Sequence, residues 1–170
     1  MPSLPFSLGL AAAALLAGSV SIVHAQTANV EMTDLVGETL GALTLTGTPN
    51  GVLIQGELQG LEPGEHGFHF HQVGEPPFES AGGHFNPDDS DHGFLVEGGP
   101  HAGDMPNIHV GDDGSVMVEA FNPRVSLAEG AVASLVDGYG TAILIHAEPD
   151  DYESQPSGDA GDRIACGVVQ

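Results

Sequence analysis

The chain has no lysine and no tryptophan, only two arginines, Arg124 and Arg163, and a single cysteine, Cys166. Each shortage excludes something. Set against 24 acidic residues, two arginines leave a formal net charge of −22, a surface that repels nucleic acid and anionic lipid. One cysteine cannot close a disulfide within the chain. No HExxH motif, phosphate loop or nucleophile elbow occurs, so three common routes to hydrolysis or phosphoryl transfer are closed. There is also no helical stripe of useful length, no repeat and no domain linker.

What is present describes one folded unit. At 170 residues the chain has room for one core. Strong acidity can mean disorder, but 41% hydrophobic residues and 25 glycines punctuating short apolar runs predict a turn-rich β protein. Acidity without lysine also suits a salty environment, where counterions screen self-repulsion. Leu8 to Val23 is apolar but short for a bilayer span, and Val23-His24-Ala25 resembles a signal-peptidase site. The expectation is a signal peptide over 1–25, cleavage before Gln26, and one domain over 26–170 in the periplasm or outside the cell. No membrane association is expected afterwards. No Lys or Arg precedes the apolar run, so a retained anchor is the alternative.

Strands are expected at Thr39–Thr48 and Val52–Leu58, joined by a Thr48-Pro49-Asn50-Gly51 turn. Others are expected at Asn107–Val110 and Ser115–Phe121 around Gly111-Asp112-Asp113-Gly114, and at Ala131–Val136, Thr141–Ala147 and Arg163–Val169. Two stretches resist this reading. Gln72–Gly103 holds four prolines and three histidines without periodicity, and Glu148–Asp162 is polar throughout. Loops this long in a compact domain are usually functional. A single antiparallel barrel or sandwich with two long loops follows.

The centre of the pattern is Gly64–Gly74, GEHGFHFHQVG. On a strand, residues two apart share a face, so His69 and His71 project side by side while Phe68 and Phe70 give the other face. Two imidazoles on a rigid face are half of a metal site. His66 has the wrong parity and suits a structural hydrogen bond. Downstream come His84, His92, His101 and Asp104 on the long loop, and His146 at a strand end. Four nitrogens suit copper; three histidines with one carboxylate suit zinc. If His84 serves both, His69, His71, His84 and His146 form one site, and His84, His92, His101 and Asp104 the other.

These residues lie in segments that resemble the copper/zinc superoxide dismutases: GEHGFHFHQVG, SAGGHFNP, HAGDMPNI, LIHAEPDDY and GDRIACGVV, in that family's order over most of 60–170. The resemblance implies an all-β fold, an eight-stranded Greek-key β-barrel whose long loops hold the metals. It implies copper on His69, His71, His84 and His146, and zinc on His84, His92, His101 and Asp104. Asp150 matches a carboxylate that links a copper histidine to a zinc histidine, and Arg163 the arginine that guides superoxide. The implied reaction converts superoxide to O₂ and hydrogen peroxide by alternating the copper, with His84 carrying a proton. A homodimer is a candidate assembly.

One departure stands out. Cys166 matches one half of the family's loop-to-strand disulfide, but the other half aligns with Phe78. Apolar packing of Phe78 near Cys166, itself expected to be buried, is the anticipated substitute. Asp104 could cap a turn, Arg163 could serve loop carbonyls, and His109 is expected in solvent. The acidic runs at Asp88–Asp91 and Asp112–Asp113 lack calcium-loop spacing. The alternative function is a non-enzymatic dismutase-like module that binds copper or zinc.

Overall fold

A computed structural model describes residues 25–74, 78–138 and 140–170, without the side chains of 78 and 79. The signal-peptide expectation falls on residues outside this set. Nine strands follow in order: β1 (Thr27–Asp34), β2 (Thr39–Thr48), β3 (Gly51–Gln59), β4 (Gly64–His66), β5 (Phe68–His71), β6 (Ile108–Val110), β7 (Ser115–Asn122), β8 (Ala142–His146) and β9 (Arg163–Val168). One 3-10 turn, Phe78–Ala81, is the only helical element among the described residues.

Seven strands form one curled sheet in the order β5-β8-β9-β1-β2-β3-β7, and β4 pairs with β6 in a second. Every pairing is antiparallel. Alternation in β1, β2 and β7 sends Val30, Met32, Leu43, Leu45, Val116 and Val118 inward, where all are buried. The histidine stretch, read from sequence as one strand, changes sheets at Gly67. That residue donates to Glu148 O and accepts from His146 N. A Cβ there would meet Ala160 Cβ at 2.9 Å and His69 Cε1 at 3.1 Å, so the crossing point needs glycine.

Two expectations change. Ala131–Val136 forms turns rather than a strand, held by Ala131 N to Ala128 O and Ser134 N to Ala131 O. Its apolar character serves burial instead: Leu127 and Leu135 enter the core from irregular backbone. Cys166 is only half-buried, packed with Ala81, Ala142 and Leu144. Thr33 of β1 pairs with it.

Candidate metal centre

Strand pairing sorts the two faces of β5. Phe68 and Phe70 lie opposite Ile145 and Ile143 and fill the core. His69 and His71 lie opposite Leu144 and Ala142 on the outer face. The free edge of β5 is covered by the long loop. Phe70 N donates to Gly103 O (2.9 Å), Phe85 N to Phe70 O (2.7 Å) and Gly103 N to Phe85 O (2.7 Å). Satisfying that edge places His84 beside His71 and Asp104 beside His69. His146, at the end of β8, completes the cluster.

The result is two four-residue groups sharing His84: His69, His71, His84 and His146, and His84, His92, His101 and Asp104. Within each, all candidate donor atoms lie within 4.8 Å of one another, and all seven residues are buried. These are the groups expected from the sequence. Asp150 joins them, accepting from His69 Nε2 at Oδ2 (2.8 Å) and from His92 Nε2 at Oδ1 (3.0 Å).

Each imidazole of the first group spends one nitrogen outward. His71 Nδ1 donates to Gly82 O (3.0 Å) and His146 Nδ1 to Gly161 O (3.2 Å). His84 Nδ1 donates to Asp104 Oδ1 (2.8 Å) and His69 Nε2 to Asp150. That fixes the tautomers and leaves His69 Nδ1, His71 Nε2, His84 Nε2 and His146 Nε2 as lone pairs facing inward. His69 Nδ1 and His84 Nε2 are buried with no hydrogen-bond partner, a cost of about 1–3 kcal/mol each unless a cation meets them. Burial pushes His71 down to about 2, and His69 and His146 to about 4, so these rings are neutral at physiological pH. Burial also lowers His84.

In the second group Asp104 receives His84, lies 3.0 Å from His92 Nδ1 and 3.4 Å from His101 Nδ1, and accepts the Gly93 and His101 amides at 3.0 Å. His92 and His101 Nδ1 lie at ion-pair distance but lack hydrogen-bond geometry, as for nitrogens aimed at a common point beside the carboxylate. Burial opposes the Asp104 charge, but the nearby imidazoles of His101, His84 and His92 hold it far below the carboxylate range. Burial likewise opposes charge on His92, yet Asp104 and Asp150 outweigh it and raise the ring to about 9. Asp150 is held below the usual range, burial being overcome by His69, His92 and the Tyr152 amide.

Arg163 lies on a cleft with His71, His84 and His146. Its guanidinium donates to Gly82 O, the carbonyl that also receives His71. Both readings of this arginine, loop brace and cleft cation, are therefore compatible. His66 hydrogen-bonds His146 O (2.7 Å) and Glu62 O (2.8 Å), the structural part expected of it. His109 is exposed.

The copper/zinc superoxide dismutase (SODC) family model matches residues 39–169. The chain belongs to the copper/zinc superoxide dismutase family. Among relatives in this dismutase family, the protein named superoxide dismutase [Cu-Zn] 2 of Aquifex aeolicus is 48% identical over 166 residues, covering 95% of this chain and 97% of that one. Superoxide dismutase [Cu-Zn] of Caulobacter vibrioides is 44% identical over 139 residues, covering 79% of this chain and 80% of the other. The crystal structure of a SOD-like protein from Bacillus subtilis superposes with a TM-score of 0.80 at 39% identity, covering 84% of this chain and 97% of that one. Copper and zinc are this dismutase family's cofactors, and the orphaned nitrogens and the carboxylate-centred group fit them.

Several contributors to the dismutase site escaped the sequence reading. Gly82 and Gly161 act through carbonyl oxygens, which no residue type announces. Asn107 holds Asp150 at both ends, giving Nδ2 to Asp150 O and accepting Asp150 N, each at 2.9 Å. It stands in HAGDMPNI, so its place in the motif was the available signal.

Proposed function

We propose that the protein is an exported superoxide dismutase, with copper held by His69, His71, His84 and His146 and zinc by His84, His92, His101 and Asp104. The observation that carries this reading is the convergence of four inward lone pairs, two without any hydrogen-bond partner, beside a cleft that contains Arg163. Copper held by these four histidines would supply the one-electron chemistry that superoxide dismutation needs. The residues around it position and protonate. Arg163 presents a fixed cation that draws an anion toward His71, His84 and His146. His84 lines the cleft, and its Nε2, free of any hydrogen bond, can take up and return a proton. Asp150 and Asp104 orient the rings and their tautomers.

Zinc held by His84, His92, His101 and Asp104 would supply no redox chemistry and would brace the loop and His84. The apolar Leu8–Val23 supports export, with cleavage before Gln26 and residence in the periplasm or outside the cell. Assembly as a homodimer belongs to the same reading; light scattering tests it. A metal-binding module without activity would be favoured by loss of a copper-side histidine or of Arg163, and every one of these is present. Metal analysis of the purified protein with a superoxide dismutation assay is the test. One copper and one zinc per chain with high activity are expected; stoichiometric metals without activity would leave only the binding module.

A further inference from the structure

His92 is held in a way that the shared carboxylates do not explain. Its ring is fixed by Asp104 and Asp150, but its backbone depends on Gln155, 63 residues later in the other long loop. The Gln155 carboxamide accepts His92 N–H at Oε1 (2.9 Å) and donates from Nε2 to His92 O (2.8 Å). Nε2 also reaches Glu153 O at 3.1 Å. Among the described residues neither backbone group of His92 has another partner. A side-chain amide paired with one residue's N–H and C=O sets both the position and the rotation of that backbone. His92 is fully buried while Gln155 is exposed, so the clamp reaches inward from the surface.

The backbone on either side leaves no slack. Gly93, with φ +101°, lies against Tyr152 O, which also accepts Leu95 N at 3.1 Å. Glycine is required there, since a Cβ would strike that carbonyl. The 147–162 loop is itself tied down through Asn107 on Asp150 and through Asn107 N to the Tyr152 hydroxyl (2.7 Å). Gln155 therefore transmits the position of an anchored loop to His92.

We propose that Gln155 is a positioning residue for the second cup. It fixes the direction of His92 Nδ1, and so governs how tightly and in what geometry that cup holds a tetrahedral divalent ion. The inference rests on the reading of His92 as a zinc ligand. It assigns the 147–162 loop a part in zinc retention, separate from any part in guiding the anion. No residue in the copper-side group touches Gln155, so the effect is confined to one metal.

The test uses the full mature chain as wild type, Gln155→Met, Gln155→Glu and His92→Ala. Zinc affinity is measured by chelator competition, and Co(II) loaded at the zinc position reports ligand geometry through its visible spectrum. Gln155→Met matches the length and removes both bonds. About tenfold weaker zinc binding is expected, with a shifted Co(II) spectrum and unchanged copper affinity. Gln155→Glu keeps the acceptor for His92 N–H and loses the donor, so it should fall between Met and wild type. Because Gln155→Met also leaves the buried His92 N–H and C=O unpaired, the melting temperature of the metal-free chain should fall, while copper affinity should hold. Wild-type zinc affinity and an unshifted spectrum in Gln155→Met, with zinc lost from His92→Ala, overturn this inference and leave the functional reading intact. Equal losses of copper and zinc affinity in Gln155→Met also overturn it, making Gln155 a general loop brace. Zinc retained by His92→Ala sinks the zinc assignment itself.

Discussion

On one side of His84 four imidazoles face one another with no carboxylate among them. On the other, three imidazoles surround Asp104. Burial is similar, yet the proton chemistry is opposite. Desolvation lowers His69, His71 and His146, and on His69 it outweighs the Asp150 carboxylate, so the first cup is neutral before any metal arrives. In the second, two carboxylates outweigh desolvation and His92 stays charged to about pH 9. One cup waits with free lone pairs and the other is occupied by a proton. Desolvation that outweighs its carboxylate contacts prepares a site for a soft ion that competes well for nitrogen. A shared carboxylate prepares one for a hard-to-displace structural ion.

The largest effects should come from breaking either cup. His146→Ala should abolish dismutation and leave zinc bound, whereas His92→Ala should lose zinc first and keep a redox-active but less stable copper. Metal analysis alongside activity checks this, and equal loss of both metals from each variant would erase the distinction between the cups. Next in size is Arg163→Glu, which replaces the cleft cation with an anion and should cut kcat/KM strongly at every salt concentration. In wild type the net charge of −22 repels superoxide at long range, while Arg163 acts close in. Salt at a Debye length of about 8 Å screens the distant carboxylates more completely. Pulse radiolysis should therefore find kcat/KM flat or rising with ionic strength; a steep fall would mean a positive funnel survives at the cleft.

A smaller effect should follow from disturbing the link between the cups. Gly158, at φ +69°, sits against the Asp150–His92 contact, where a Cβ would collide with Asp150 Oδ1 and lie 2.8 Å from His92 Nε2. Gly158→Ala should weaken zinc binding by about 10–100-fold, read by chelator competition, since it disturbs the partner that orients a ligand. If zinc binding is unchanged, the Asp150 bridge does not support that ligand.

The gentlest probe is pH, applied to the metal-free chain. Zinc uptake must displace the His92 proton, so zinc affinity should rise about tenfold per pH unit up to about 9. His69, His71 and His146 are already neutral, so they add no such slope on the copper side above pH 6. Stability follows the same division. The three lowered rings disfavour the folded state as pH falls from 6.5 toward 4, because only the unfolded chain gains those protons. His92, raised, contributes stability fully below 6.5 that is lost as pH rises through 9. Denaturant titrations should therefore place the maximum near pH 6.5; a maximum above 9 would contradict both assignments. Reducing agents should leave the melting temperature unchanged, because Cys166 is the only cysteine. A sharp drop would reveal a disulfide between chains.

Much of this was legible because metal sites need particular residue types. His69 and His71 announce a shared face by their spacing, and β2, β7 and β8 by short apolar runs between glycines. The rest was hidden for identifiable reasons. Ala131–Val136 has strand-like composition, but tertiary burial of Leu127 and Leu135 decides its path. The break at Gly67 is set by His69 and Ala160 crowding from two directions, which no local window contains. Gln155 is one polar residue in a polar loop; its importance lies in what it faces. The anticipated packing of Phe78 on Cys166 involves a side chain outside the described residues. Cys166 itself is half-buried, with its thiol raised to about 11 by burial against the opposing Arg163.

β9 comes last among the strands, yet it lies inside the sheet, between β8 and β1. Until Arg163–Val168 is available, the sheet consists of two unconnected parts. Thr33 waits for a partner 133 positions away. Such pairing is dominated by distant contacts, and chains of that kind fold slowly. The two parts of the sheet cannot join until that last strand arrives, so the strands that carry His69, His71 and His146 are locked to the rest of the sheet only at the end of folding.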